Sequence, residues 1–158
     1  MQRFTLTPIG HIEIREEGMF VRLEPEYTPA LEGLGGFSHI NVLWWFHGFD
    51  APEHRKVLTA PQPYKNAPET MGIFATRSPV RPNPVALSTA EVLTLDPQKG
   101  LIQLGYIDAD DGSPVLDLKP YTPSLDRVAK PRVPGWCAHW PKSLEESASF
   151  DWSGEFNF

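Results

Sequence analysis

The chain has 158 residues, 41% apolar and 22% charged, with 14 basic against 20 acidic side chains and a net charge of −6. That length suits a single domain, and its 17 prolines, roughly twice the usual share, exclude a bundle of long helices, because proline lacks an N–H and clashes with the preceding turn. No apolar run approaches the ~18 residues of a membrane span, Met1-Gln2-Arg3-Phe4-Thr5 is no signal peptide, and a single cysteine, Cys137, excludes an intrachain disulfide framework and fits a reducing cytoplasm. Affinity for nucleic acid comes largely from cations that neutralise phosphates. Charge alone therefore points to a small-molecule ligand, with RNA left to a local basic patch or a composite dimer surface.

Taken in order, Pro8–Arg15 alternates apolar and polar residues from Ile12, the period of a strand. Glu16-Glu17-Gly18 is a turn signal, and Met19–Leu23 is the returning strand. Thr28-Pro29 through Leu34 predicts one short helix, over about 29–34, with Thr as N-cap and Pro at its first position. Ile40–Phe46 is almost continuously apolar and predicts a strand buried on both faces. Residues 48–71 carry four prolines and predict a long surface excursion with a short helix near 53–58. Strands are then expected at Met71–Thr76, Val85–Leu95, Leu101–Asp108 and Pro114–Lys119. Asp96-Pro97-Gln98-Lys99-Gly100 is a turn between two of them. The segment 123–158 fades into prolines but holds Trp136, Trp140, Phe150, Trp152, Phe156 and Phe158, which need burial against the domain or another subunit. About seven short strands predict an all-β barrel or sandwich: one domain over 1–158, with a core near 5–126 and the tail 127–158 packed on it. No strand–helix alternation supports a Rossmann-like enzyme.

Chemistry concentrates in two segments. Gly72–Pro84 places Arg77, Ser78, Arg81 and Asn83 among three prolines after a strand, which stiffens the loop and presents planar guanidinium forks suited to carboxylate or phosphate. The plain alternative is a stiff connection with solvated arginines. Asp108–Tyr121 fails the EF-hand pattern, since Gly112 is fifth from Asp108 and Lys119 stands at position twelve. Asp117 and Lys119 share a strand face, either as an exposed ion pair or as a polar cluster with Tyr121. His47 ends the apolar strand beside Gly48, either as a boundary residue or as a ligand contact. The pair Cys137/His139 cannot complete a four-ligand zinc site, so no metal is expected. A hydrolase built on that pair is the weakest rival, because a cysteine between Trp136 and Ala138 reads as core.

Five ordered motifs together resemble the TsaA-like domain of the TrmO family over about residues 5–126. They are Pro8-Ile9-Gly10, Leu34–His39, Phe46-His47, the Gly72–Pro84 segment with Phe-Ala-Thr-Arg-Ser and Arg-Pro-Asn-Pro, and Asp111–Tyr121. The resemblance implies a compact, dimerising β-barrel that binds S-adenosylmethionine and methylates N6 of a modified adenosine in tRNA. By position it implies cofactor contacts at His47, Gly48, Arg77, Leu87, Gly105, Tyr106, Ile107 and Asp108. Acceptor contacts are expected from Arg81, Asn83, Lys119 and Tyr121. Asp108, Asp111, Asp117 and Tyr121 are candidates for taking the proton that an amine acceptor loses. The chain departs from the family in two places. Ile14 runs through Arg15-Glu16-Glu17-Gly18 into the next strand, without the longer loop bearing a Pro-x-Gln motif, and the chain ends at Phe158 where longer members append a C-terminal domain. A cofactor-binding module without catalysis, or a methyltransferase acting on a small molecule, is the alternative reading.

Overall fold

The computed structural model describes residues 2–158. Six strands close into a barrel: β1 (Gly10–Arg15), β2 (Gly18–Leu23), β3 (His39–Trp45), β6 (Val85–Asp96), β7 (Leu101–Leu104) and β8 (Pro114–Pro120), in the order β1-β2-β7-β6-β3-β8. Two three-residue strands, β4 (Thr59–Pro61) and β5 (Thr70–Gly72), form a separate ribbon. The all-β expectation holds. Alternation turns Ile12, Val21, Ile40, Val42, Ile102, Leu104 and Val115 into the barrel, where they are fully buried.

Four details correct the sequence reading. The helix expected near 29–34 is a 3-10 segment at Pro25–Leu31, and that near 53–58 is a 3-10 turn at His54–Lys56. The strand expected over Met71–Thr76 ends at Gly72. Ile73–Ala75 then coils into a 3-10 turn, closed by the Thr76 hydroxyl donating to the Ile73 carbonyl at 2.8 Å. The strand expected to reach Asp108 ends at Leu104. Last, β3 is not uniformly buried: Ile40, Val42 and Trp44 face the core, while Leu43 and Trp45 are half-buried.

Glycine at position 10 is dictated by a close approach. A Cβ there would lie 2.0 Å from the Arg22 carbonyl oxygen and 2.8 Å from the Leu23 Cα. β1 therefore crosses β2 at a distance that no side chain allows. The β1–β2 hairpin turns through Arg15-Glu16-Glu17-Gly18 with no inserted loop. Glu13, on the outer face, accepts from Arg22 and Arg15.

The last 36 residues carry two single-turn helices, α1 (Pro123–Asp126) and α2 (Leu144–Ser147). Ser143 caps α2 by accepting from the Glu146 amide at 3.2 Å. The aromatics cluster on one another: Tyr64 stacks on Trp136 at 5.4 Å, Trp140 meets both Tyr64 and Trp152, and Trp152 meets Phe150. Tyr64 also bridges Phe156 as an isolated antiparallel pair. Offset and edge-on pairs at these distances add roughly 0.5–1.5 kcal/mol each beyond area burial.

Glu155 ties this cluster together, accepting from the Trp140 indole at 3.0 Å and lying 2.8 Å from His139 Nε2. The Trp140 bond, then the His139 bond, hold its carboxyl below the ordinary range against the opposing effect of desolvation. A lowered folded-state value means stabilisation present at neutral pH and lost as pH falls through that value. Tryptophan fluorescence should report loosening of the tail as pH falls below the ordinary carboxylate range, and Glu155→Gln should remove that step. An unchanged acid titration in the variant would show that the tie is not Glu155.

Candidate functional site

The site arises where the barrel splits. β6 is 12 residues long and changes partner along its length. Val85–Glu91 pairs with β3, and Val92–Asp96 pairs with β7, with a register shift between Val92 and Thr94. Beyond Leu104, Gly105 still donates to the Glu91 carbonyl at 2.9 Å, and no further β6–β7 pair is formed. The first half of β6 thus has a strand on one side only. A groove of about 2210 Å³ runs from it, residues 106–110 and the loop 74–83 across to the C-terminal segments 121–131 and 140–152. Typical small-molecule pockets reach ~1,000 Å³, so this one has room for a small ligand and part of a second molecule.

Each flank is positioned by local chemistry. The Leu87 carbonyl, in the uncovered half of β6, accepts from Arg77 Nη1 at 3.2 Å. Arg81 folds back on its own loop, its Nη1 donating to Thr76 and Ser78 carbonyls at 3.3 and 3.4 Å. On the opposite flank, Met19 Sδ accepts from the Ile107 amide at 3.4 Å and fixes the departing chain. Inside, Trp44 donates its indole N–H to Ser88 Oγ at 3.0 Å, and its ring meets Phe46 edge-on at 4.6 Å. His39 and Tyr121 meet edge-on at 6.2 Å at another part of the wall. Although the Tyr106 ring is exposed, partial desolvation raises its phenol above the ordinary value, and the negative Asp108 adds to the rise. Burial does the same for Tyr64, opposed first by a bond from the Arg77 backbone and then by the Arg77 charge.

The groove gathers most of the residues singled out in the sequence. His47, Gly48, Arg77, Leu87, Tyr106, Ile107 and Asp108 line it, as do Arg81, Asn83 and Tyr121, while Gly105 lies at the split itself. Asp111, Asp117 and Lys119 are not among its lining residues. Asp111 Oδ1 accepts from the Ile14 amide at 2.8 Å and fastens the Asp110–Ser113 turn to β1. That turn requires a left-handed Gly112, with φ +77°. Asp117 and Lys119 pair with each other at 2.7 Å on the barrel surface. Among the described residues no cluster of three or more His, Cys, Asp or Glu could hold a metal.

Four contributors escape a reading of the sequence: Asn41, Asp126, Arg127 and Lys142. Asn41, buried in β3, donates to Asp126 Oδ1 at 2.9 Å and accepts from Thr89 Oγ1 at 2.7 Å. Asp126 also caps Thr122, so Asn41 moors α1 and the groove wall at Arg127. A lone amide in an apolar run is the available signal. Lys142, from the tail, lines the same groove. None of the groove cations Arg77, Arg81, Arg127 and Lys142 has a carboxylate within ion-pair distance among the described residues. The ion pairs of Arg15, Arg22, Lys99 and Lys119 all lie outside the groove.

A closed six-stranded barrel with a groove along one split edge marks a β-barrel protein with room for a ligand. A family model described as the tRNA-methyltransferase O N-terminal domain matches residues 3–127, and the chain belongs to that family. A probable S-adenosyl-L-methionine-binding protein of Pyrococcus horikoshii is 35% identical over 126 residues, covering 79% of this chain and 88% of that one. The tRNA (adenine(37)-N6)-methyltransferase of Escherichia coli K12 is 41% identical over 101 residues, covering 63% of this chain and 42% of the enzyme. The crystal structure of TrmO from Pseudomonas aeruginosa superposes with a TM-score of 0.62 at 30% identity, over 83% of this chain and 62% of that one. The chain therefore spans less than two thirds of the solved TrmO chain.

Proposed function

We propose that the protein is an S-adenosylmethionine-dependent methyltransferase acting on an adenosine of tRNA. The observation that carries this is the split-edge groove, lined by seven of the eight positions expected to contact the cofactor and by four cations that, among the described residues, have no carboxylate partner, in an otherwise acidic chain. The lining suits the cofactor: Arg77 keeps four guanidinium donors beyond its bond to Leu87, and Leu87, Ile107 and the Tyr106 ring supply apolar surface. When bound, S-adenosylmethionine supplies the methyl group on its sulfonium. The chain's own task is to orient the acceptor and exclude water. Of the four candidates for the acceptor's proton, Asp108 alone is a groove carboxylate outside any ion pair among the described residues, Asp111 and Asp117 being committed elsewhere.

A second reading has its own support. The archaeal relatives of comparable length from Pyrococcus horikoshii and Methanocaldococcus jannaschii are named probable S-adenosyl-L-methionine-binding proteins, the chain covering 88% and 96% of them. The methyltransferase of Eikenella corrodens is longer, with 61% covered. Transfer of labelled methyl to total tRNA from cells lacking the enzyme separates the two. Arg81, Arg127 and Lys142 neutralising three phosphates give a log–log salt slope of about −2. tRNA affinity then falls about twentyfold from 50 to 200 mM salt. Cofactor binding with no methyl transfer would leave the binding-module reading in place.

The exposed Phe74, Leu87 and Tyr106 around the groove, 78%, 51% and 64% accessible, favour a homodimer that covers this edge. Sedimentation at micromolar concentration should give twice the chain mass, and a monomer would refute the dimer. No described helix is long and apolar enough to cross a membrane, and the proposed tRNA substrate supports reading the protein as cytoplasmic. We read 1–158 as one domain, since the tail's aromatics pack on the 59–72 excursion.

A further inference from the structure

The excursion after β3 has a task that the cofactor site leaves unexplained. Its 3-10 turn at His54–Lys56 carries Arg55, whose Nε donates to the Pro82 carbonyl at 2.8 Å and whose Nη2 donates to Asn83 Oδ1 at 3.2 Å. The same guanidinium lies over the Trp45 ring, 5.8 Å from its centroid, and the Trp45 indole donates to Asp50 Oδ2 at 2.9 Å. Arg55 is thus aimed by β3 and by the start of the excursion, and it grips two successive residues of the Arg81-Pro82-Asn83-Pro84 turn.

That turn needs an outside grip. Pro79, Pro82 and Pro84 have no N–H to donate. Among the described residues the Arg81 side chain bonds only the carbonyls of Thr76 and Ser78, at the base of the loop. At the tip, the Asn83 carbonyl accepts from the Val85 amide at 2.8 Å, and the side-chain oxygen is taken by Arg55. An amide whose oxygen is engaged by a cation has one determined orientation, with its Nδ2 left as the donor. Asn83 is exposed and lines the groove.

The geometry points to Arg55 as a positioning residue that orients Asn83 as a hydrogen-bond donor to the acceptor molecule, toward a base carbonyl, a ring nitrogen or a phosphate oxygen. This rests on the methyltransferase reading above. It predicts that Arg55 governs acceptor affinity without touching the cofactor.

The test is a double-mutant cycle on the full-length protein. Arg55→Ala and Asn83→Ala should each raise KM for total tRNA about tenfold, with kcat and S-adenosylmethionine affinity within twofold of the parent. Because Arg55 acts through Asn83, the double variant should also lose about tenfold, not the hundredfold of independent sites. Arg55→Lys keeps the charge but cannot span both acceptors, and should recover less than half of the effect on a logarithmic scale. Additive losses, or an unchanged KM in Arg55→Ala, would overturn the proposal. Amide exchange at Val85 reads the grip without any substrate. It should accelerate about tenfold in Arg55→Ala, and unchanged exchange refutes the clamp. If the parent transfers no methyl to tRNA while that acceleration is seen, the tRNA reading fails and the clamp stands.

Discussion

Arg77→Ala should weaken S-adenosylmethionine binding by about 1.5–3 kcal/mol, or roughly tenfold to a hundredfold or more, the scale of a lost charge-assisted hydrogen bond. The side chain sits just beyond the 3-10 turn that ends β5, and Pro79 stiffens the loop on its C-terminal side. It spends one N–H on the Leu87 carbonyl and faces no carboxylate within ion-pair distance among the described residues. It can therefore anchor the anionic end of the cofactor while it pins the open edge of β6. Its exposure to solvent weakens any charge interaction, which puts the lower end of the range first if the groove stays open and the upper end if a second subunit covers it. Arg77→Lys separates the two roles: it keeps a positive charge for the carboxylate but has no planar fork to serve both partners. Isothermal calorimetry decides. Unchanged affinity in the alanine variant would make Arg77 an edge pin and move the cofactor elsewhere in the groove.

How much of the fold is legible in the sequence depends on how local each signal is. The β1–β2 hairpin and β6 are announced by alternation and turn residues that act over a few positions. The ends of β5 and β7 are not, because they depend on tertiary events. Ile73–Ala75 coils where Thr76 closes a turn on Ile73, and the chain leaves β6 after Gly105 where the barrel splits. An apolar run such as Ile73-Phe74-Ala75 is too short for periodicity to arbitrate. The outer face of β3 is illegible for a related reason. Asn41 is covered by Asp126, 85 residues away, a contact that no window on the sequence sees. The helix α2 does have a local signal, Ser143 with Glu146 three residues later, the spacing of a capping box.

The candidate site divides along the same line. Arg77, Arg81 and Asn83 are legible because a Pro-stiffened loop after a strand holds polar groups wherever the fold puts them. Extending strand alternation from Asp117 to Tyr121 assigns Lys119 to the groove, but the strand stops at Pro120. The Tyr121 amide then donates to the His39 carbonyl at 3.0 Å, and Tyr121 lines the groove while Lys119 stays on the barrel surface with Asp117. Alternation beyond a strand's end carries no information about facing.

Gly10→Ala should cost about 3 kcal/mol, enough to lower the melting temperature by roughly 6–12 °C in a domain of this size. An added methyl would sit 2.0 Å from the Arg22 carbonyl oxygen and 2.9 Å from its carbon, and these are backbone atoms that cannot swing aside as a flexible side chain would. Relief requires β1 and β2 to separate. Their six-pair ladder begins at Gly10↔Leu23, and Gly10 also pairs with Val115 of β8. The displacement would therefore spread to both neighbours at the barrel's seam, placing the cost at the upper end of what overpacking brings. The core residues there, Ile12, Leu23 and Val115, are buried and would lose contacts together. The groove cations and Asn83 lie on other elements, so S-adenosylmethionine affinity at low temperature should stay within twofold while the thermal midpoint falls. A variant as stable as the parent would mean that the strands separate freely at this point, and that the glycine of the Pro8-Ile9-Gly10 motif serves something other than the barrel's closure.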